Sequence, residues 1–194
     1  MKDIKPILAL VLGIAAVWYI ISILVVSESD APLDQSSQQV QTVMQDYSTN
    51  DWRVGFKYPD TYTLTETDLS TPQRNRISLA LIEKGYVPPE MGEGPTAITV
   101  DIFRNVQNER YTAEEWIKGN SASNYKLGPG ELTARTVNNH QAYEYRWSGL
   151  YEGKSVVVAT DDFVYMFSVT FNSPDDITMS DFESVLSTAR FGTL

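Results

Sequence analysis

The sequence predicts an α+β domain, an antiparallel β-sheet flanked by helices, set behind one transmembrane helix. Three observations point there: an uncharged apolar run over residues 7–26, short runs of period-two alternation between Val54 and Phe171, and two helix-start sequences that interrupt the strands. The expected division is a cytoplasmic tail over 1–6, the membrane helix over 7–26, a linker over 27–49 and a globular domain over 50–194.

The apolar run reads ILALVLGIAAVWYIISILVV, and apart from Trp18 and Tyr19 its only polar side chain is Ser22. At ~1.5 Å per residue a helix of this length matches the ~30 Å hydrocarbon core of a bilayer. A helix also satisfies its own backbone groups, as lipid requires. Lys2 and Lys5 precede the run, and Glu28, Asp30 and Asp34 follow it. The positive-inside rule then leaves the N-terminus in the cytoplasm and the C-terminal domain outside, in a single-pass protein of the cell membrane. A buried core helix would show a polar face, which this run lacks. A cleaved signal peptide is the competing reading, with Ser27-Glu28-Ser29 as a small-x-small site. Its apolar region is usually only ~7–15 residues. Residues 27–41 are rich in Ser, Gln and Asp and read as a solvated linker, with a helical tendency where apolar residues return at Val40 to Met44.

The strands follow in order. Val54, Phe56 and Tyr58 alternate with other residues and stop at Pro59; Tyr62 and Leu64 begin the next run. Ile77, Leu79 and Leu81 form another, and Ile98, Val100 and Ile102 the one after it. Leu132, Ala134 and Val137 precede Tyr143, Tyr145 and Trp147, then Val156 and Val158, then Phe163, Tyr165, Phe167, Val169 and Phe171. Period two places one set of side chains on one face of a half-buried strand. Short connections at Asn138-Asn139, Ser148 to Gly153 and Asp161-Asp162 predict hairpins, hence antiparallel neighbours.

Each helix carries a start signature. Thr112-Ala113-Glu114-Glu115 is a capping box ahead of Trp116 and Ile117, with Gly119 and Asn120 suited to the end. Ser180-Asp181-Phe182-Glu183 reads as a second one, and Phe182, Val185, Leu186 and Ala189 repeat at helical spacing. Pro174 with Asp175-Asp176 offers an earlier turn of that helix.

Composition excludes several functions. The chain has 194 residues, a formal charge of −10 and no cysteine. A polyanion with scattered Lys and Arg repels phosphate backbones, so no nucleic acid is expected as a partner. Thiol nucleophiles, disulfides and thiolate zinc sites are excluded outright. His140 is the sole histidine, reads as an exposed turn residue beside Asn138-Asn139, and leaves little for a triad or a zinc site. Asp161-Asp162, Asp175-Asp176 and Asp181 supply oxygens but lack the EF-hand spacing; the first pair suits a turn and the second a helix N-terminus. No cofactor, metal or catalytic residue is expected.

From Asp51-Trp52-Arg53-Val54-Gly55-Phe56-Lys57-Tyr58-Pro59 onward the chain resembles PsbP-like proteins. A strand ending in aromatic-Pro opens that domain. Ile98-Thr99-Val100, the capped helix at Thr112 to Trp116, the hairpin Thr136 to Tyr143, the aromatic strand Phe163 to Val169 and the closing segment Asp181 to Phe191 follow in the same order. The resemblance implies an α/β/α sandwich around an antiparallel sheet. It also implies an accessory or binding role, since the family includes an extrinsic subunit of the photosynthetic oxygen-evolving complex and many exported bacterial domains. This chain differs in having a membrane helix where relatives carry a cleaved presequence or a lipid-bearing Cys.

Aromatic residues supply the binding candidates. Trp147 and Tyr151 flank a hairpin turn, and Tyr86 lies in the Pro-rich loop Lys84 to Pro95, a kind of long connection that often serves function. Exposed together, they would form a platform for a peptide or sugar. The expected function is a membrane-anchored extracytoplasmic accessory or binding domain without catalytic activity, meeting the lipid bilayer through its N-terminal helix and a protein or cell-envelope partner through the domain. The alternatives are a carboxylate-dependent extracytoplasmic hydrolase and an ancillary subunit of a membrane complex.

Overall fold

Alternating side chains settle into strands when one set of positions can be buried against a second layer. The computed structural model describes residues 42–87, 94–106 and 110–192, all within a unit that begins at Thr42. The membrane helix expected over 7–26, the tail before it and most of the linker lie outside the described residues, as do residues 88–93 of the Pro-rich loop. Among the described residues no helix is long and apolar enough to cross a membrane.

Seven of the strands form the main sheet: β3 (Tyr62–Asp68), β4 (Arg76–Glu83), β5 (Ile98–Arg104), β6 (Thr133–Val137), β7 (His140–Ser148), β8 (Glu152–Ala159) and β9 (Phe163–Phe171). Their spatial order is β3-β4-β5-β9-β8-β7-β6, antiparallel throughout. Two meanders therefore meet where β5 pairs with β9, Ile98 opposite Val169 and Arg104 opposite Phe163. The three expected hairpins are present. In the tightest, Val137 faces His140 across Asn138-Asn139, both at positive φ (43° and 64°), the backbone a two-residue hairpin turn demands and Asn tolerates.

A second, three-stranded sheet of β1 (Met44–Thr49), β2 (Val54–Pro59) and β10 (Arg190–Phe191) departs from expectation. β1 lies inside the stretch that reads as linker and meets the expected helical tendency of Val40 to Met44 only at Met44. Its Ser, Gln and Asp residues face outward, so composition hides the strand. What fixes it is the ladder to β2 together with Tyr47, whose ring lies 5.3 Å from that of Phe56 and whose hydroxyl donates to Glu66 at 2.8 Å.

The two α-helices among the described residues are α1 (Ala113–Gly119) and α2 (Ile177–Thr188). Thr112 caps α1 as its sequence predicts: its Oγ1 accepts from the Glu115 amide at 3.2 Å, and the Glu115 carboxylate accepts from the Thr112 amide at 2.9 Å. The second capping box is not one. α2 starts a turn earlier, with Asp176 at the N-cap and no side-chain cap bond. Ser180 is already helical and donates back to the Ile177 carbonyl at 2.9 Å, while Asp181 accepts from Tyr62. Glu183 reaches sideways to ion partners on the sheet.

Both faces of the main sheet are covered, giving the expected helix–sheet–helix layering with the small sheet added to one side. On that side Ile98, Val100, Ile102, Tyr165, Phe167, Val169 and Phe171 pack with Phe56 of β2 and Phe182, Val185 and Leu186 of α2. Phe56, Phe167 and Phe182 are fully enclosed, and burying each such side chain contributes about 1.5–3 kcal/mol. On the other side Phe103, Tyr145, Val157, Val164 and Met166 pack with Trp116 and Ile117 of α1.

Candidate functional site

α1 has seven residues and spans only about 10 Å at ~1.5 Å per residue. It cannot cover the whole face beneath it. Where its cover ends, the alternating positions of the central strands turn from apolar to polar. Along β5 the residues on this face run Phe103, Asp101, Thr99; along β9 they run Val164, Met166, Ser168, Thr170; β8 adds Ser155 and Gly153. The opposite face of the same strands stays wholly apolar from Ile98 to Ile102 and from Phe163 to Phe171.

This polar stretch floors a groove of about 280 Å³ lined by Thr99, Asp101, Asn124, Trp147, Tyr151 and Ser168, with Gly94 and Pro95 at its rim. Trp147 stands opposite Gly153 in the β7–β8 pairing, and its indole lies down over that glycine. A side chain at position 153 would fill the ring's place. The indole Nε1 donates to Ser155 Oγ at 2.9 Å, and Ser155 Oγ lies 2.8 Å from Ser168 Oγ. Tyr151, in the turn between β7 and β8, donates its hydroxyl proton to the Gly94 carbonyl at 2.6 Å. That bond ties the hairpin tip to the far end of the β4–β5 connection. Thr170 Oγ1 accepts from the Ala97 amide at 2.9 Å and fixes the same segment from below. Asp101, almost fully buried, takes Arg76 Nη2 at 2.7 Å, and the Arg76 guanidinium stacks on Phe103 at 4.8 Å.

Of the three candidates from the sequence, the structure brings Trp147 and Tyr151 to one groove. Tyr86 sits in the turn after β4, half-buried, with its amide donating to the Glu83 carbonyl at 3.3 Å, and is not among the groove's lining residues. The floor residues Thr99, Asp101 and Ser168 were legible only as the polar half of an alternation whose apolar half drew attention. The charge at Asp101 in the middle of a central strand was the available signal.

His140, Arg53, Asp161 and Asp162 line a separate cavity of about 390 Å³, whereas Asp175, Asp176 and Asp181 are not among its lining residues. His140 begins β7 half-buried, its ring edge-on to Phe191 at 5.2 Å, so it is not the exposed turn residue expected. The imidazole is held by ring packing where the second sheet ends. Asp161 pairs with Arg110 at 3.3 Å, Asp162 with Arg53, Asp176 accepts from the Asn172 amide and Asp181 from Tyr62. Among the described residues no three His, Asp or Glu side chains gather as a metal-binding group would.

The fold matches that of the solution structure of cyanobacterial PsbP (CyanoP) from Synechocystis sp. PCC 6803, with a TM-score of 0.50 over 83% of this chain and 99% of that one, at 16% sequence identity. No protein-family model and no curated protein matches the sequence. The likeness shows a shared PsbP-like fold: antiparallel sheet with helices on it, as the order of strand and turn motifs implies.

Proposed function

We propose that the chain is a single-pass, membrane-anchored domain displayed outside the cytoplasm, that it binds rather than catalyses, and that the groove beside Trp147 and Tyr151 is its contact surface. The anchor rests on the uncharged run at 7–26 with lysines before it and acids after it. The binding role rests on one observation above all. The two central strands of the sheet carry Thr99, Asp101, Ser168 and Thr170 at the base of a groove, where a purely structural sheet face would be packed with apolar side chains. Asp101 is engaged by Arg76, which suits a carboxylate that accepts hydrogen bonds. The PsbP-like fold accords with the accessory role that the sequence resemblance implies.

Two measurements test this reading. The full-length protein should stay in the membrane pellet under alkaline carbonate, and protease added to intact spheroplasts should digest the C-terminal domain. A photo-crosslinking side chain placed at the exposed Leu150 should trap a partner in intact cells, and Trp147→Ala should abolish the adduct. Release by carbonate, a protease-protected domain, or an adduct indifferent to Trp147→Ala would sink it.

A further inference from the structure

We infer that the groove takes a neutral saccharide, an assignment that rests on the reading of this groove as a binding surface. The indole of Trp147 carries the argument. Its inner face is pressed on Gly153, where a Cβ would stand 2.3–2.6 Å from three ring carbons, and its Nε1 edge is fixed on Ser155. The same residue packs against the second apolar core and is one of the groove's lining residues. A rigid aromatic plane of this kind attracts the polarised C–H face of a sugar ring through its negative π surface.

Beside that plane stand hydrogen-bonding groups with capacity to spare. The Thr99 hydroxyl makes no hydrogen bond within the described residues, and the Asn124 side chain leaves the following 3-10 turn uncapped. Both line the groove with Asp101. A saccharide presents the matching pair of surfaces, a C–H face for the indole and a rim of hydroxyls for Thr99, Asn124 and Asp101. The groove's volume of about 280 Å³ falls just below the ~300–1,000 Å³ of drug-sized sites and suits one ring at a time. The chain's charge of −10 disfavours acidic sugars. An extended peptide is disfavoured for a different reason. Strand addition needs an unpaired sheet edge, and β5 and β9, which floor the groove, are paired on both sides.

The test uses the full-length protein in nanodiscs, titrated calorimetrically with chitotetraose, cellotetraose and maltotetraose, and with tetragalacturonate as the anionic comparator. At least one neutral tetraose should bind, more tightly than tetragalacturonate. Trp147→Ala and the near-isosteric Thr99→Val should each weaken it about tenfold or more, and Trp147→Phe less than Trp147→Ala. Thr99→Val, lying outside both apolar cores, keeps the comparison valid if the Trp147 variant fails to fold. Absence of binding by all three neutral sugars, tighter binding of the acidic one, or affinity unchanged in Thr99→Val overturns the assignment. If sugars fail while the Leu150 crosslink still depends on Trp147, the binding reading stands and only the saccharide falls; if both fail, both fall.

Discussion

The indole of Trp147 rests so closely on Gly153, its partner across the β7–β8 pairing, that a Cβ at 153 would lie 2.3 Å from ring carbon Cε2. Gly153→Ala must therefore push the ring off Ser155 or bend β8. We expect a loss of about 1–3 kcal/mol, the usual cost of overpacking, read from urea denaturation. In a Trp147→Ala background the same change has nothing to strike and should be close to neutral. Simple additivity of the two substitutions would show that the contact is not energetically real.

The cap on α1 makes a sharper local prediction. Seven residues are too few for a helix to persist on its own, so α1 depends on Trp116 and Ile117 packing below and on Thr112 at its start. Thr112→Ala should cost about 1 kcal/mol. Hydrogen exchange should quicken at the Glu115 amide, which loses its acceptor, while amides of β9 keep their protection. Uniform acceleration across the sheet would contradict this local picture.

The strands, three hairpins and the first capping box were legible because each is a local rule: period two, a turn pair, a cap with its return partner. Three things were not, and each depends on partners remote in sequence. β1 is polar outward and becomes a strand only against β2. Ser180 to Glu183 spells a helix start that competes with the earlier one expected at Pro174 with Asp175-Asp176; the earlier one is used, with Asp176 at the N-cap, and Glu183 is drawn to Arg135 and Lys154 on the sheet. In the groove, Trp147 and Tyr151 were visible as aromatics about a turn, whereas Thr99 and Ser168 matter only because β5 and β9, far apart in the chain, are neighbours. Gly128 is a fourth case. It packs on the backbone of β7, where a Cβ would meet the Arg146 carbonyl oxygen at 2.1 Å, and nothing in its own neighbourhood announces that approach.

Glu183 gives an acid-side prediction. It meets Arg135 Nη2 at 3.0 Å and the buried Lys154 Nζ at 2.6 Å, and Glu144 shares both cations. Burial pushes its carboxyl up, but the hydrogen bonds and charges of Arg135 and Lys154 outweigh that and hold it below the usual carboxylate range. A lowered folded pKa adds stability that is complete above the unfolded value, ~4.3, and is lost as pH falls through the folded one. Glu183 is 42% exposed and Glu144 stays on both cations, so Glu183→Gln should cost about 1 kcal/mol or less at neutral pH. The gap between variant and parent should narrow as pH drops below ~4. A gap that stays constant from pH 7 to pH 3 would remove Glu183 from acid unfolding.

At the alkaline end the sign reverses. Burial raises the phenol pKa of Tyr47, Tyr62, Tyr145 and Tyr165, with Glu66 adding to the effect at Tyr47 and Asp181 at Tyr62. Tyr165 is pushed up to about 12; its hydroxyl donates to the carbonyls of Trp52 and Arg53, both at 3.1 Å, and pins the turn where Arg53 adopts φ 48°. A phenol kept neutral by the fold contributes fully below its unfolded pKa of ~10, and that contribution drains away as pH climbs toward the folded value. Tyrosinate absorbance of the native protein should therefore lag that of the denatured chain above pH ~10. Tyr165→Phe should be about 1 kcal/mol less stable at neutral pH, with the deficit shrinking in alkali. If the native and denatured titration curves coincide, the buried phenols are not linked to folding.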